Sequence, residues 1–241
     1  MNIALLGYGK MGKAIEAIAL ERGHAITLKT DKNTQYNLED HTIDVAIDFS
    51  IPETATTHIT SCLENHIPIV SGTTGWLENY ATVTALCKQV NGAFLYASNF
   101  SIGVTLFFEL NKKLGQLMGQ HKSYQVAMEE IHHTQKLDAP SGTAITLAEG
   151  IIDKTSYTNW KLVEDADANA FAKAQTIPIY SKREGIVPGT HTVTYDSPID
   201  QITIKHEAHS RQGFALGAVI AAEWLVGKKG VFSMQDVLNI S

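Results

Sequence analysis

Apolar and polar positions change period along this chain, and the change divides it. Asn2 to Leu6 is a short apolar run, the mark of a strand buried on both faces. Lys13 to Arg22 follows with Ile15, Ile18 and Ala19 at helical spacing, and Gly23 ends it. His24 to Lys29 predicts a second strand and Asp44 to Ser50 a third. Pro52 to Asn65 then predicts a helix with proline near its first turn. Ile67 to Val70 predicts a strand, Glu78 to Val90 a helix and Ala93 to Tyr96 a fifth strand. Strands alternating with helices in this way predict an α/β fold, a Rossmann-type doubly wound parallel sheet with right-handed crossovers.

Past residue 100 the rhythm is different. Val104 to Met118 predicts a long helix with apolar Leu106, Phe107, Leu110, Leu114 and Leu117. Tyr124 to Ile131 alternates and predicts a strand. His132 to Ala139 is a polar loop, and Gly142 to about Asp153 is a helix. Three more strands are predicted at Thr176 to Arg183, His191 to Tyr195 and Gln201 to Glu207, joined by hairpin-like links. This is a second α+β domain with a mixed or antiparallel sheet. Gly213 to Val226 is an apolar helix, expected to return and cover the first sheet. The domains are therefore expected at 1–100 with 210–241, and at 101–209. The polar, acidic stretch 156–173 fits no element.

Composition narrows the function classes. The 241 residues are 44% hydrophobic and 18% charged, ordinary for a soluble globular protein. A net charge of −6 argues against a general nucleic-acid binder. Two cysteines, Cys62 and Cys87, imply neither a disulfide framework nor a cysteine zinc site. No stretch approaches the ~20 apolar residues of a membrane span. The first residues lack the pattern of a signal peptide, so a cytoplasmic location with no membrane partner is expected.

Between the first strand and helix stands Gly7-Tyr8-Gly9-Lys10-Met11-Gly12, a G-x-G-x-x-G turn in the context that dinucleotide binding requires. Gly7 allows the tight turn, Gly9 lets the backbone approach a pyrophosphate, and Gly12 lets helix and strand pack closely. Asp31, 19 residues after Gly12, is placed to bond an adenosine ribose, and Lys32 follows it. Gly72-Thr73-Thr74 offers amides and hydroxyls at the carboxyl end of the fourth strand, where open α/β sheets bind ligands.

The densest chemistry lies in Glu130 to Thr143. It holds His132, His133, Lys136 and the helix start Pro140-Ser141-Gly142-Thr143 within fourteen residues. Ser141 as N-cap would leave the amides of Gly142, Thr143 and Ala144 unpaired, a site for an anion. With Lys136 and the histidines, the loop can grip a carboxylate and supply a proton beside it. A solvated polar loop is the plain alternative. Metal ligation by Glu130, His132, His133 and Asp138 is a third, disfavoured because adjacent strand residues point to opposite faces.

Glu130 to Ala144 follows the pattern E-x-H-H-x-x-K-x-D-A-P-S-G-T-A throughout, and here the chain resembles the 4-hydroxy-tetrahydrodipicolinate (dihydrodipicolinate) reductase family. The likeness extends to Asp44–Ser50, to Ala97-Ser98-Asn99-Phe100, to Arg183–Val193 and to His206–Arg211. It is weakest in 33–43 and 155–175. The family commonly has one more residue in the glycine turn, and Arg where this chain has Lys10. The resemblance implies NADH- or NADPH-dependent reduction of a cyclic dicarboxylate in lysine and diaminopimelate synthesis, by a homotetramer. It implies His132 and Lys136 as the acid-base pair, and His133, Lys136, Ser141, Gly142 and Thr143 around the substrate carboxylates. It further implies cofactor contacts from Gly7 to Gly12, Asp31, Lys32, Phe49, Ser50, Gly72 to Thr74 and Ala97 to Phe100, with no metal.

Two rivals remain at this level. A semialdehyde dehydrogenase needs a nucleophilic cysteine on a substrate-facing loop, but both cysteines fall in predicted helices. A non-enzymatic dinucleotide sensor would keep the glycines and have no need of His132 and Lys136.

Overall fold

The computed structural model describes residues 1–31, 34–163, 175–210 and 212–240. Lys32, called a cofactor contact from the sequence, lies outside them, as does most of the stretch left unplaced. The chain divides into two compact units, Met1–Thr105 with Gln212 onward, and Leu106 to residue 211.

Unit 1 is built on β1 (Asn2–Leu6), β2 (Ala25–Thr30), β3 (Val45–Asp48), β4 (Ile69–Ser71), β5 (Ala93–Tyr96) and β11 (Gly230–Phe232). They form one parallel sheet in the order β11-β5-β4-β3-β1-β2. The sheet has six strands where five are predicted. β11 spans only three residues, too few to show a period, and it gains its place by pairing with β5. Helices α1 (Lys10–Glu21), α2 (Pro52–Glu64), α3 (Tyr80–Gln89) and α6 (Gln212–Leu225) cover the sheet. One apolar layer joins Ile15 and Ala19 of α1 to Ile3, Ile47 and Leu95 and to Ala215, Ala218, Val219 and Ala222 of α6. The opposite layer sets Ile59 and Leu63 of α2 and Val83 of α3 against Ala4, Leu6, Ile69 and Phe94. Each fully buried Leu, Ile or Val contributes about 1.5–3 kcal/mol. Cys62 and Cys87 are buried in α2 and α3.

Unit 2 holds β6 (Gln125–His132), β7 (Asn159–Val163), β8 (Thr176–Arg183), β9 (Gly189–Asp196) and β10 (Gln201–Ala208) in the order β10-β9-β6-β8-β7. The sheet is mixed: β6 pairs parallel with β8 and antiparallel with β9. This corrects the expected series of hairpins. Among the described strands only β9 and β10 pair through a short link, because β6 inserts between β8 and β9. β7 is an element the pattern does not reveal. Leu147, Ala148 and Ile151 of α5 (Gly142–Ile152) pack with Val126, Met128, Ile177, Ile179, Val193 and Phe107. Phe107 belongs to α4 (Ile102–Met118). Among the described residues no helix is long and apolar enough to cross a membrane.

One glycine is explained by packing alone. A β-carbon on Gly217 of α6 would stand 1.7 Å from the carbonyl oxygen of Phe100. Replacing a mid-helix glycine by alanine ordinarily gains about 0.5–1 kcal/mol. Here the sign should reverse. Gly217→Ala is expected to lower unfolding free energy by about 1–3 kcal/mol, measured by urea denaturation, and a stabilised variant would contradict the packing described.

Candidate active site

In unit 1 the ends of β1, β2, β3, β4 and β5 carry the residues the sequence singles out. α1 starts at Gly9, which is its N-cap, and has neither a side-chain cap nor an acidic residue in its first turn. Its leading amides are thus available to an anion. Gly7 has φ 97°, and a β-carbon there would lie 2.3 Å from the Phe49 carbonyl oxygen. A β-carbon on Gly12 would meet the Gly7 carbonyl at 2.6 Å, while Gly9 faces open space. This glycine turn, open at Gly9 and uncapped at α1, fits a dinucleotide pyrophosphate. The hydroxyl of Tyr8 donates to Glu16, which also pairs with Lys29, and the Lys29 ammonium lies 4.9 Å from the Tyr8 ring centroid. The carboxylate of Asp31 accepts the Thr34 hydroxyl at 2.9 Å.

Asp48, at the end of β3, is fully buried. It accepts hydroxyls from Ser50 at 2.6 Å, Ser71 at 2.9 Å and Thr73 at 2.7 Å, and faces His58 Nδ1 at 2.9 Å. One carboxylate therefore fixes both the Phe49-Ser50 turn and the Gly72-Thr73-Thr74 turn. Phe49 packs on Phe100 with centroids 5.5 Å apart. Asn99 accepts the Ser101 amide at 2.8 Å, which shapes the turn that carries Ala97 and Ser98.

In unit 2 the centre is Glu130. Val126, Met128, Glu130 and His132 are alternate residues of β6, and all four are buried. The Ser141 amide donates to both Glu130 oxygens at 3.0 and 3.1 Å, and Ser181 Oγ donates to Oε1 at 2.6 Å. Arg183 Nη2 and His191 Nε2 stand 3.6 and 3.7 Å from the carboxylate. Burial alone would raise this carboxyl. The pull of His191 and the bonds from Ser141 and Ser181 outweigh burial and hold it well below the usual carboxylate range.

The loop past β6 is tied down by Arg183. Its guanidinium donates to the carbonyls of Lys136 at 3.2 Å and Asp138 at 2.5 Å, and to Ser181 Oγ at 2.8 Å. The Lys136 ammonium bonds both oxygens of Asp138 at 2.8 Å. Ser141 caps α5, with Oγ accepting the Ala144 amide at 3.2 Å and meeting His191 Nε2 at 3.2 Å. Of the three amides expected to be unpaired, Ala144's is therefore used by the cap. Those of Gly142 and Thr143 remain at the helix start, with no acidic residue in the first turn. His132 is 7% exposed. Burial first, then His191, Lys136 and Arg183, lower its pKa to about 4 against the upward pull of Glu130. The ring is neutral at pH 7. Ligand-capable atoms of Glu130, His132 and His191 lie within 4.8 Å of one another, but both Glu130 oxygens already accept hydrogen bonds.

The family described as "Dihydrodipicolinate reductase, N-terminus" matches residues 1–100, and "Dihydrodipicolinate reductase, C-terminus" matches 103–238. The chain belongs to the dihydrodipicolinate reductase family. It is 55% identical to the 4-hydroxy-tetrahydrodipicolinate reductase of Christiangramia forsetii over 240 residues, covering 99% of this chain and 98% of that protein. It is 37% identical to the protein of that name from Akkermansia muciniphila, covering 97% and 95%. The dipicolinate-bound dihydrodipicolinate reductase of Paenisporosarcina sp. TG-14 has a like fold, with TM-score 0.78 at 24% identity and 98% of both chains covered.

Within the family's pattern the structure gathers His132, Lys136, Ser141, Gly142 and Thr143 about the end of β6. His133 follows His132 and is half-buried. Several members of the network carry no catalytic or binding role in the sequence reading: Asp48, Ser181, Arg183 and His191, and also Glu130, which figures there only as a disfavoured metal ligand. The signal for Glu130 was present, since it occupies a core-facing position of an alternating strand where an acidic residue must find donors. The signal for Ser181 and His191 was not, since they come from other strands, paired in register with Glu130 on either side.

The lowered pKa of His132 has a consequence for stability. Between the ordinary 6.5 and about 4, the unfolded chain binds a proton that the folded chain refuses. Stability must therefore fall as pH drops through that window and flatten below it. Glu130, also lowered, acts with the same sign at more acid pH. In urea denaturation across pH 7 to 4, His132→Gln should show a slope smaller than the parent's by up to about one proton. Equal slopes would mean that His132 is not held neutral.

Proposed function

We propose that this protein is an NAD(P)H-dependent oxidoreductase that reduces 4-hydroxy-tetrahydrodipicolinate, with loss of water, to tetrahydrodipicolinate in lysine and diaminopimelate biosynthesis. The observation that carries this is the meeting of His132, the Lys136 ammonium and the open start of α5 at one end of β6. Proton donor and carboxylate receptor thus stand together, in a chain that also holds a glycine turn built for a dinucleotide. Residues 1–100 with 210–241 bind the nicotinamide cofactor. Residues 101–209 bind the cyclic dicarboxylate and carry the subunit contacts of a cytoplasmic homotetramer. Exposed Leu106, Leu110, Leu117 and Ile202 supply apolar surface for those contacts.

A bound nicotinamide would supply a hydride to the conjugated ring carbon. The residues of the chain do the rest. Gly7 to Gly12, with Tyr8, Lys10 and Met11, hold the pyrophosphate. Asp31 holds the adenosine ribose. Phe49, Ser50, Gly72, Thr73, Thr74 and Ala97 to Phe100 hold the nicotinamide half. His133, Lys136, Ser141 and the amides of Gly142 and Thr143 hold the two carboxylates. His132 and Lys136 supply the proton that relieves charge on the ring nitrogen and its neighbour. In the free protein His132 is held neutral, so this role needs its pKa to rise when substrate binds. A dianion beside it would offset Lys136 and Arg183, two of the charges that push the proton off.

With synthase-generated substrate, the protein should consume NADH or NADPH in a spectrophotometric assay, and a preparation inert with both would refute the reading. Lys136→Ala should lower kcat by about two to four orders of magnitude while dinucleotide binding persists. Activity within a few-fold of the parent would remove Lys136 from the chemistry.

Cofactor choice rests on Asp31 and Lys32. The Asp31 carboxylate accepts ribose hydroxyls and repels a 2′-phosphate. The neighbouring Lys32 attracts that phosphate, but as a point charge without arginine's fork. Both cofactors should work, with kcat/KM within roughly tenfold of each other, about 1.4 kcal/mol. Lys32→Ala should reduce kcat/KM for NADPH and spare NADH, and added salt should weaken NADPH more. An equal effect on both cofactors would show that Lys32 does not read the phosphate.

A further inference from the structure

The His132 ring is held with one nitrogen turned to an anion and no bond yet made. Its Nδ1 is buried with no hydrogen-bond partner among the described residues, 3.5 Å from Glu130 Oε2. That separation is beyond the ~2.7–3.2 Å of a formed N–H···O bond. A donor buried without a partner is costly, so a proton on Nδ1 would give the pair reason to close. Oε1 is occupied by Ser181 Oγ and the Ser141 amide, while among the described residues Oε2 accepts the Ser141 amide alone, at 3.1 Å, with His191 Nε2 farther off at 3.7 Å. Oε2 therefore retains a lone pair on the side of His132. On the other edge of the ring, Nε2 lies beside Gly189, where a β-carbon would crowd it at 3.1 Å. The backbone at His132 is fixed by its carbonyl, which accepts the Glu184 amide at 2.8 Å.

We propose that Glu130 is a positioning residue for the proton transfer: its Oε2 takes the Nδ1–H of His132, which leaves Nε2 as the nitrogen that receives and delivers the proton. The proposal rests on the reductase reading above. It assigns a task to a group that touches neither substrate nor cofactor. When His132 gains a proton, the positive charge forms beside a carboxylate kept ionised by its own donors. The proton on Nδ1 stays, and the one on Nε2 leaves. The same carboxylate holds the amide of Ser141, the N-cap of α5. One buried group thus sets the acid and the receptor for the substrate carboxylate relative to each other.

Glu130→Gln separates this from a purely structural role. The amide oxygen can still accept from Ser141 and Ser181, but an NH2 group turned toward His132 can only donate. Nitrogen-15 NMR of the His132 ring at pH 7, without substrate, reads which nitrogen carries the proton. In the parent the neutral ring should be the Nδ1–H form. In Glu130→Gln it should convert to Nε2–H, with kcat falling about a hundredfold or more. Ser181→Ala removes a donor from Oε1 alone and should leave the ring in the Nδ1–H form. A parent ring protonated on Nε2, or the same form in the parent and Glu130→Gln, would overturn the proposal. If Glu130→Gln does not fold, the parent and Ser181→Ala spectra decide it. Because the NMR readout needs no substrate, failure of the reductase reading would appear separately, in the activity assay of the parent.

Discussion

A carboxylate taken out of water must be surrounded by donors, and this chain meets that constraint twice. Asp48 ends β3 and Glu130 lies two residues before the end of β6, and both are fully buried. An unpaired charge in either place would cost several kcal/mol. Each draws in hydroxyls or amides from segments far along the chain. Ser71 and Thr73 come to Asp48 from the end of β4 and beyond, while Ser141 and Ser181 come to Glu130 from α5 and β8. Those segments are the ones that carry the candidate ligand-binding groups. Satisfying the buried charge and shaping the loops are in this sense a single act of folding.

The parallel sheet of unit 1 was legible in the sequence because its signals are local: apolar runs, helical spacing and a glycine turn. The two-histidine loop was legible because its residues are contiguous. What was not legible depends on partners distant in sequence. β11 is a strand only because β5 offers it an edge, and β7 only because β8 does. The order of the second sheet follows from β6 inserting between β8 and β9, which no periodicity reports. The Ala144 amide was misjudged for a smaller reason: the serine that starts the helix also closes its first turn.

Net charge tells little about either candidate site. The chain carries −6, yet the ligands proposed for it are anions. Attraction comes instead from neutral amides at the starts of α1 and α5, where the helix dipole concentrates about half a positive charge. Both helices begin without an acidic residue in the first turn, although Glu130 already takes the Ser141 amide at the start of α5. The cations nearby are partly committed, Lys136 to Asp138 and Lys29 to Glu16. A bound anion would therefore compete with an existing carboxylate, and the net gain from either lysine is less than a bare ammonium would give.

The polar hub of unit 2 also bears on which sheet forms. Glu130 is in register with Ser181 on β8 and with His191 on β9, so all three side chains fall on one face. A slip of one residue on β8 would present Tyr180 or Lys182 at that level and turn Ser181 to the opposite face. A slip on β9 would present Thr190 or Thr192 in the same way. Those side chains carry donors of their own, but Tyr180 and Lys182 are far bulkier than the serine at this fully buried carboxylate, and neither threonine supplies the ring that faces both Glu130 and Ser141 Oγ. The apolar neighbours discriminate too, since Met128 is matched by Ile179 and Val193. Apolar contacts tolerate repacking, however, whereas the donors of a buried charge must stand within hydrogen-bond distance of it. The residue that organises the candidate active site thus also penalises the strand registers in which that site could not exist.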